Sequence, residues 1–175
     1  MKVITPKGAA MEKIGLIPMT RELCREFYRE FENDPMVFMD NFVTYEYSEA
    51  RADAYFYKQQ AKGRLYFAIM ADSAPVGELI LKDIDSIKHE CTLSIHLRND
   101  SVKGRGYGIE AERLALEYAF TYLGMNAVNA DTIIKNTRSR HVLEKLGFSY
   151  LGREGDFDRF RFARGDYYKG KADND

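Results

Sequence analysis

The chain has 175 residues, 45% of them hydrophobic and 30% charged, with a formal net charge of -1. That length suits one domain with a proper core, and that composition a soluble globular protein. Near-neutral charge argues against a protein built mainly to hold nucleic acid or a membrane surface, and no apolar run approaches the roughly 20 residues that span a bilayer. Cys24 and Cys91 stand far apart without metal-like spacing. Reduced, buried thiols in a cytoplasmic protein are the expectation. The opening MKVITPKGAAMEK lacks the apolar centre of a signal peptide.

In chain order, IGLIPMT reads as a first strand. Thr20 can cap the helix after it, in which Leu23, Phe27 and Phe31 recur every fourth residue. Ser48 is a second N-cap, and EARADAYFYKQQ runs from it to a stop at Gly63. RLYFAIM and PVGELILK, joined by ADSA, form a hairpin, and CTLSIHL is the next strand. A helix is expected from Gly108 to Leu123, with Ala111, Leu114, Ala115, Tyr118, Ala119 and Tyr122 inward and Glu110, Arg113, Glu117 and Thr121 outward. Gly124 stops it. NAVNADTII alternates like a strand. NTRSRHVLEKLGF is a short helix ended by Gly147, with Val142, Leu143 and Leu146 inward. GFSYLGR and FDRFRFARG are closing strands, and in the latter Phe160 and Phe162 alternate with Arg159 and Arg161. Consecutive strands imply antiparallel pairing in the first half, and strand–helix–strand a parallel crossover in the second. The class is α+β.

Before the third helix comes KGRGYG, with Gly104, Gly106 and Gly108 between Lys103 and Arg105 or just beyond them. Glycine is a poor helix former, so three at a helix entrance need a reason. A helix N-terminus exposes unpaired amides and carries partial positive charge; glycines let anionic oxygens come close to it. A turn that merely reverses the chain is the bland alternative. A Walker loop is excluded by the missing Gly-Lys-Ser/Thr ending. The dinucleotide fingerprint is excluded by spacing and by the lack of a preceding βαβ unit.

KGRGYG resembles the Arg/Gln-x-x-Gly-x-Gly/Ala signature of the GNAT family of N-acetyltransferases, with Lys103 where the family has Gln or Arg. NTRSRHVLEKLGF resembles the Asn-x-x-Ser-x-x-x-Leu-Glu-Lys-x-Gly-Phe element of the branch that acetylates ribosomal protein N-termini and similar amines. The two elements stand in the family's order. The resemblance implies a mixed, mostly antiparallel sheet of about seven strands flanked by about four helices and splayed between the fourth and fifth strands. It implies one domain over residues 11–167, with 1–10 and 168–175 as flexible termini.

The resemblance further implies acetyl-CoA as cosubstrate and no metal. Its diphosphate would sit on the main chain of Lys103, Gly104, Arg105, Gly106, Tyr107 and Gly108. Its pantetheine arm would pair with the main chain of His96, Leu97 and Arg98. Asn136 would bond the arm, although Asn before a short helix is favoured as a cap in its own right. Ser139 would return a proton to the sulfur; a Tyr found in some relatives four residues beyond it is Leu143 here. Arg138 and Arg140 would meet the nucleotide phosphates or solvent. Asp131 and His96 are the candidate bases, each with an ordinary structural alternative. Asp40 and Glu46 lie where the family closes over its acceptor, and Tyr45, Tyr47, Tyr55 and Phe56 either line that pocket or fill the core.

The expected activity is acetyl transfer to a primary amine, a small molecule or a protein N-terminus, by direct attack in a ternary complex. The competing reading is a non-catalytic acyl-CoA-binding sensor or interaction module. A monomer or homodimer is expected, without nucleic acid or membrane partners.

Overall fold

The computed structural model describes residues 14–38 and 42–172. Asp40 and the expected flexible N-terminus therefore lie outside the described residues. Strand β1 (Gly15–Pro18) is followed by helices α1 (Arg21–Arg29) and α2 (Glu49–Ala61). Thr20 Oγ1 accepts from Leu23 N and Ser48 Oγ from Arg51 N, each at 3.2 Å, which satisfies an amide left bare at each helix start. A 3₁₀ turn at Pro35–Val37 lies between them.

Strands β2 (Leu65–Ala71), β3 (Ala74–Asp85) and β4 (Glu90–Leu97) follow as an antiparallel meander. Asp72 and Ser73 both take positive φ, at 46° and 74°, which makes the tight two-residue turn that the ADSA linker suggests. Helix α3 (Tyr107–Thr121) leads to β5 (Ala127–Ile133), α4 (Thr137–Leu146), β6 (Ser149–Glu154), β7 (Phe157–Ala163) and α5 (Arg164–Ala172). The seven strands form one sheet in the order β1-β2-β3-β4-β5-β7-β6, in which only β4 and β5 run parallel. The described residues thus hold five helices, where about four were expected. The fifth occupies Arg164–Ala172 and overlaps residues 168–172 of the stretch expected as a flexible tail.

Two cores hold the layers together. One lies under α3 and α4, where Phe67, Leu79, Leu93, Phe120, Val128 and Phe160 pack. The other lies under α1 and α2, where Phe27, Tyr28, Phe56, Tyr66 and Ile80 pack. Phe27, Phe67, Phe120 and Phe160 are at most 1% exposed, and each contributes about 2 kcal/mol by burial. The inner face of α3 is broader than its simple periodicity predicts. Glu112, Leu116 and Phe120 are buried, and Tyr122 is exposed. Part of the reason is α5, whose Tyr167 ring packs at a tilt with its centroid 5.1 Å from that of Phe120 and covers a second side of the helix.

The feature that makes room for chemistry is the parting of β4 from β5. Only Glu90–Leu93 pair with Ala127–Ala130. Beyond that seam, Ser94–Leu97 stay with β3 while Asp131–Ile133 stay with β7. At the same level β3 carries Gly77. A Cβ there would stand 2.8 Å from the His96 carbonyl oxygen, so only glycine lets β3 and β4 approach so closely.

Candidate active site

The glycine segment folds as an open cradle at the mouth of α3. Gly104 and Gly106 take φ of 75° and 82°, in the left-handed region that suits glycine. Gly106 is the N-cap and offers no side-chain bond of its own; the first helical bond runs from Glu110 N to Gly106 O. Among the described residues, the amides of Gly104, Arg105, Gly106, Gly108 and Ile109 have no protein acceptor. Lys103 does not add free charge to this cradle. Its Nζ is held by Asp34 at 2.6 Å and Asp100 at 2.8 Å. Burial works against both charges of the Lys103–Asp34 pair, yet the pairing prevails: the Asp34 carboxyl is lowered and the Lys103 ammonium raised. Arg105 is exposed beside the cradle.

A cavity of about 350 Å³ runs from the cradle into the parting of the strands. His96, Leu97, Lys103, Gly104, Gly106, Tyr107, Gly108, Asn136 and Ser139 all line it, so the structure brings together most of the residues singled out in the sequence. Phe31, Glu32, Asp34 and Val37 form its rim from the α1–α2 side, and Ile95, Glu112 and Val142 wall the side under α3 and α4.

The main chain of β4 corrects part of the expected contact set. Arg98 N donates to Val76 O at 2.9 Å, and Arg98 O accepts from Glu32 N at 2.9 Å. Bonded and non-bonded pairs alternate along an antiparallel ladder, so with Arg98 facing β3 the peptide groups of His96 face β3 as well. Leu97 and Ile95 are the residues whose N–H and C=O point into the gap. Neither Arg98 nor the His96 main chain is free for a ligand; the Arg98 guanidinium pairs instead with Glu30 at 3.1 Å.

The His96 side chain is placed differently. Its Nδ1 lies 3.1 Å from Oε1 of Glu78, which leaves Nε2, in a residue that lines the cavity, without a bond among the described residues. Glu78 sits in the middle of β3 at 1% exposure. Three tyrosines donate to its carboxylate: Tyr28 at 3.0 and 3.1 Å, Tyr55 at 3.4 Å and Tyr66 at 2.5 Å. Burial first, and then the Glu78 charge, raises all three hydroxyls, which keeps them protonated as donors. Glu78 therefore fixes the imidazole by its Nδ1 edge, the arrangement that orients a base. Sequence reading missed Glu78; the available signal was a lone carboxylate inside the apolar run PVGELILK.

Asp131 is not brought to the cavity. It lies on the opposite face of β5 from Val128 and Ala130, exposed, with its Oδ1 2.6 Å from Nε of Arg159. The β7 alternation explains this: Phe160 and Phe162 are buried, while Arg159 and Arg161 face the other way, Arg161 onto Glu90 at 2.7 Å. Asn136 caps α4 by accepting from Ser139 N at 3.2 Å, and it is also one of the residues that line the cavity. Arg138 lines the cavity, whereas Arg140 is turned away to Glu144 and Asp158. Glu46 is exposed away from the cavity, and Tyr45, Tyr55 and Phe56 belong to the α1–α2 core. Leu143 is buried. Cys24 and Cys91 are free, buried thiols, raised by burial to about 12.

A mixed sheet parted beside a glycine-lined helix mouth is the architecture of the N-acetyltransferases, and solved structures agree. One is a putative acetyltransferase with a TM-score of 0.74 and 21% identity, covering 97% of this chain and 91% of its own. Another is a chimera of spermidine N-acetyltransferase SpeG from Vibrio cholerae with hSSAT, with a TM-score of 0.73 and 19% identity over 89% of this chain and 98% of its own. Residues 13–149 match the family model of the acetyltransferase (GNAT) domain, and the chain belongs to that family. It is an acyltransferase. Sequence relatives include the probable N-acetyltransferase YjcK of Bacillus subtilis, 27% identical over 73% of this chain and 70% of that protein. Spermidine N(1)-acetyltransferase of Escherichia coli is 25% identical over 88% and 81%. Among the described residues, no helix is long and apolar enough to cross a membrane.

Proposed function

We propose that the protein transfers an acetyl group from acetyl-CoA to a primary amine of a cationic small molecule, of the polyamine class. The observation that carries this reading is a cavity lined both by the glycine cradle, with its bare amides, and by His96 at the parted strands. Bound acetyl-CoA would supply the thioester that the amine attacks. The amides of Gly104, Arg105, Gly106, Gly108 and Ile109 suit a diphosphate, and the Leu97 N–H, turned into the gap, suits the carbonyl oxygen. An alkyl amine has a pKa near 10, so it must lose a proton to attack. His96 Nε2 accepts that proton, and Glu78 at Nδ1 stabilises the resulting imidazolium. Ser139, in the first turn of α4, returns a proton on the sulfur side of the cavity.

Two observations favour a cationic acceptor. Glu32 stands exposed at the rim with no ion-pair partner among the described residues, and the E. coli relative is a spermidine acetyltransferase. The similarity of the Asn136–Phe148 element to the ribosomal branch makes a peptide N-terminus the competing acceptor. The test is thiol release from acetyl-CoA with spermidine, spermine, an aminoglycoside, free amino acids and a ribosomal N-terminal peptide. Turnover with the polyamines at the highest kcat/KM is expected. Turnover with the peptide alone would move the acceptor class. Tight acetyl-CoA binding without release for any amine would favour the sensor reading.

A further inference from the structure

Glu112 stands on α3 four residues beyond Gly108, on the strip of helix that lines the cavity. Its side chain is 2% exposed, and its Oε2 has no hydrogen-bond partner. Around it the cavity walls are apolar, with Ile95 and Leu97 from β4 and Val142 from α4. Leucine or alanine there would serve packing better, because a buried carboxyl without a partner is destabilising. Burial alone raises this carboxyl to about 8, so at neutral pH it is an uncharged group able both to donate and to accept.

The position along the helix identifies the ligand chemistry. Six residues of helix from Gly106 to Glu112 span about 9 Å. A diphosphate on the cradle therefore leaves Glu112 beside whatever chain leads from it into the parted strands. His96 and Glu112 both line the cavity, but from opposite faces of β4: His96 is held by Glu78 on the α1–α2 side, while Glu112 sits among Ile95, Leu97 and Val142 on the α3 side, next to the cradle. A cationic amine is also a poor match for an uncharged acid between apolar walls. An amide-bearing chain is a good one.

We infer that Glu112 hydrogen-bonds a secondary amide of the acyl carrier's arm inside the cavity, and so sets carrier affinity. The inference rests on the acetyl-CoA reading above. Calorimetry with two probes separates them: coenzyme A, which has the arm, and adenosine 3′,5′-bisphosphate, which lacks it. Glu112→Leu should weaken coenzyme A binding about ten-fold and leave the bisphosphate unchanged, while Glu112→Gln stays within about three-fold for both. Thermal melting of each variant without ligand confirms that it folds. Equal coenzyme A affinity in wild type and Glu112→Leu overturns the inference and leaves the acetyl-CoA reading standing. Equal losses for both probes also overturn it, since Glu112 would then act through the cradle. A wild type that binds no coenzyme A overturns the acetyl-CoA reading, and the inference with it.

Discussion

Two buried glutamates occupy opposite sides of the same parted sheet and are held in opposite ways. Glu78, at 1% exposure, collects three tyrosyl hydroxyls and the Nδ1 edge of His96. Glu112, at 2%, has no protein partner for its Oε2. Burial is the same; the partner set differs. A carboxylate ringed by donors is a fixed element of the protein, which orients its neighbour. A carboxyl left bare in an open cavity is completed from outside. The contrast separates a residue that works through His96 from one that meets a ligand.

Activity tests this contrast most strongly. His96→Ala should lower kcat by about 10²–10⁴-fold and leave coenzyme A affinity unchanged. Glu78→Gln should lower kcat at least about ten-fold with KM unmoved, because an amide at Nδ1 lacks the carboxylate charge that stabilises the imidazolium. A change confined to KM would mean that Glu78 only shapes the pocket. Glu78→Ala strands the three hydroxyls as well, and urea unfolding should show a loss of about 3 kcal/mol.

The next effect is one of pH on stability. Glu112 is raised from 4.5 to about 8 by burial, so between those values the folded chain holds a proton that the unfolded chain releases. Stability from this group is therefore full below about pH 4.5, falls as pH rises through the window and is flat above about 8. Glu112→Gln removes that slope. Its advantage over wild type in urea unfolding should grow from pH 5 to pH 8.5, by an amount on the order of a few kcal/mol. An unchanged difference across that range would mean that Glu112 is better solvated than its 2% exposure implies.

The smallest effect belongs to Asn136, whose Oδ1 caps α4. Asn136→Ala should destabilise the fold by about 1 kcal/mol, and Asn136→Ser should recover most of it. Loss of coenzyme A affinity in the Ala variant beyond this would identify a second role for the side chain amide.

Much of the architecture was legible because local signals agreed with one another. Thr20 and Ser48 announced helix starts, Gly147 a helix stop, and the period-two run around Phe160 a half-buried strand. The cradle was legible for the same reason: glycine spacing reports backbone shape directly. Side-chain partners across the sheet were not. Glu78 meets Tyr28, 50 positions earlier in the chain, and no local pattern carries that pairing. Asp131 looked like a base because β5 borders the opening, but its neighbour on β7 is Arg159, a register known only once the strands are paired. Arg98 failed for a finer reason, since the side of β4 that a peptide group faces depends on which ladder pairs are bonded. Glu112 was hidden because a helix stripe read from apolar spacing assigns a glutamate to solvent, whereas here it lines a cavity walled by Ile95, Leu97 and Val142 from other elements.

The four residue pairs between β4 and β5 have a mechanical meaning. They act as a clasp at one end of two half-sheets, β1–β4 and β5–β7, with α3 laid across as a strap. Each half keeps its own antiparallel stitching up to the rim of the opening. The jaws of this clasp can be widened or narrowed by side-chain changes at Ile95, Leu97 or Val142 without unpicking a ladder bond in either half.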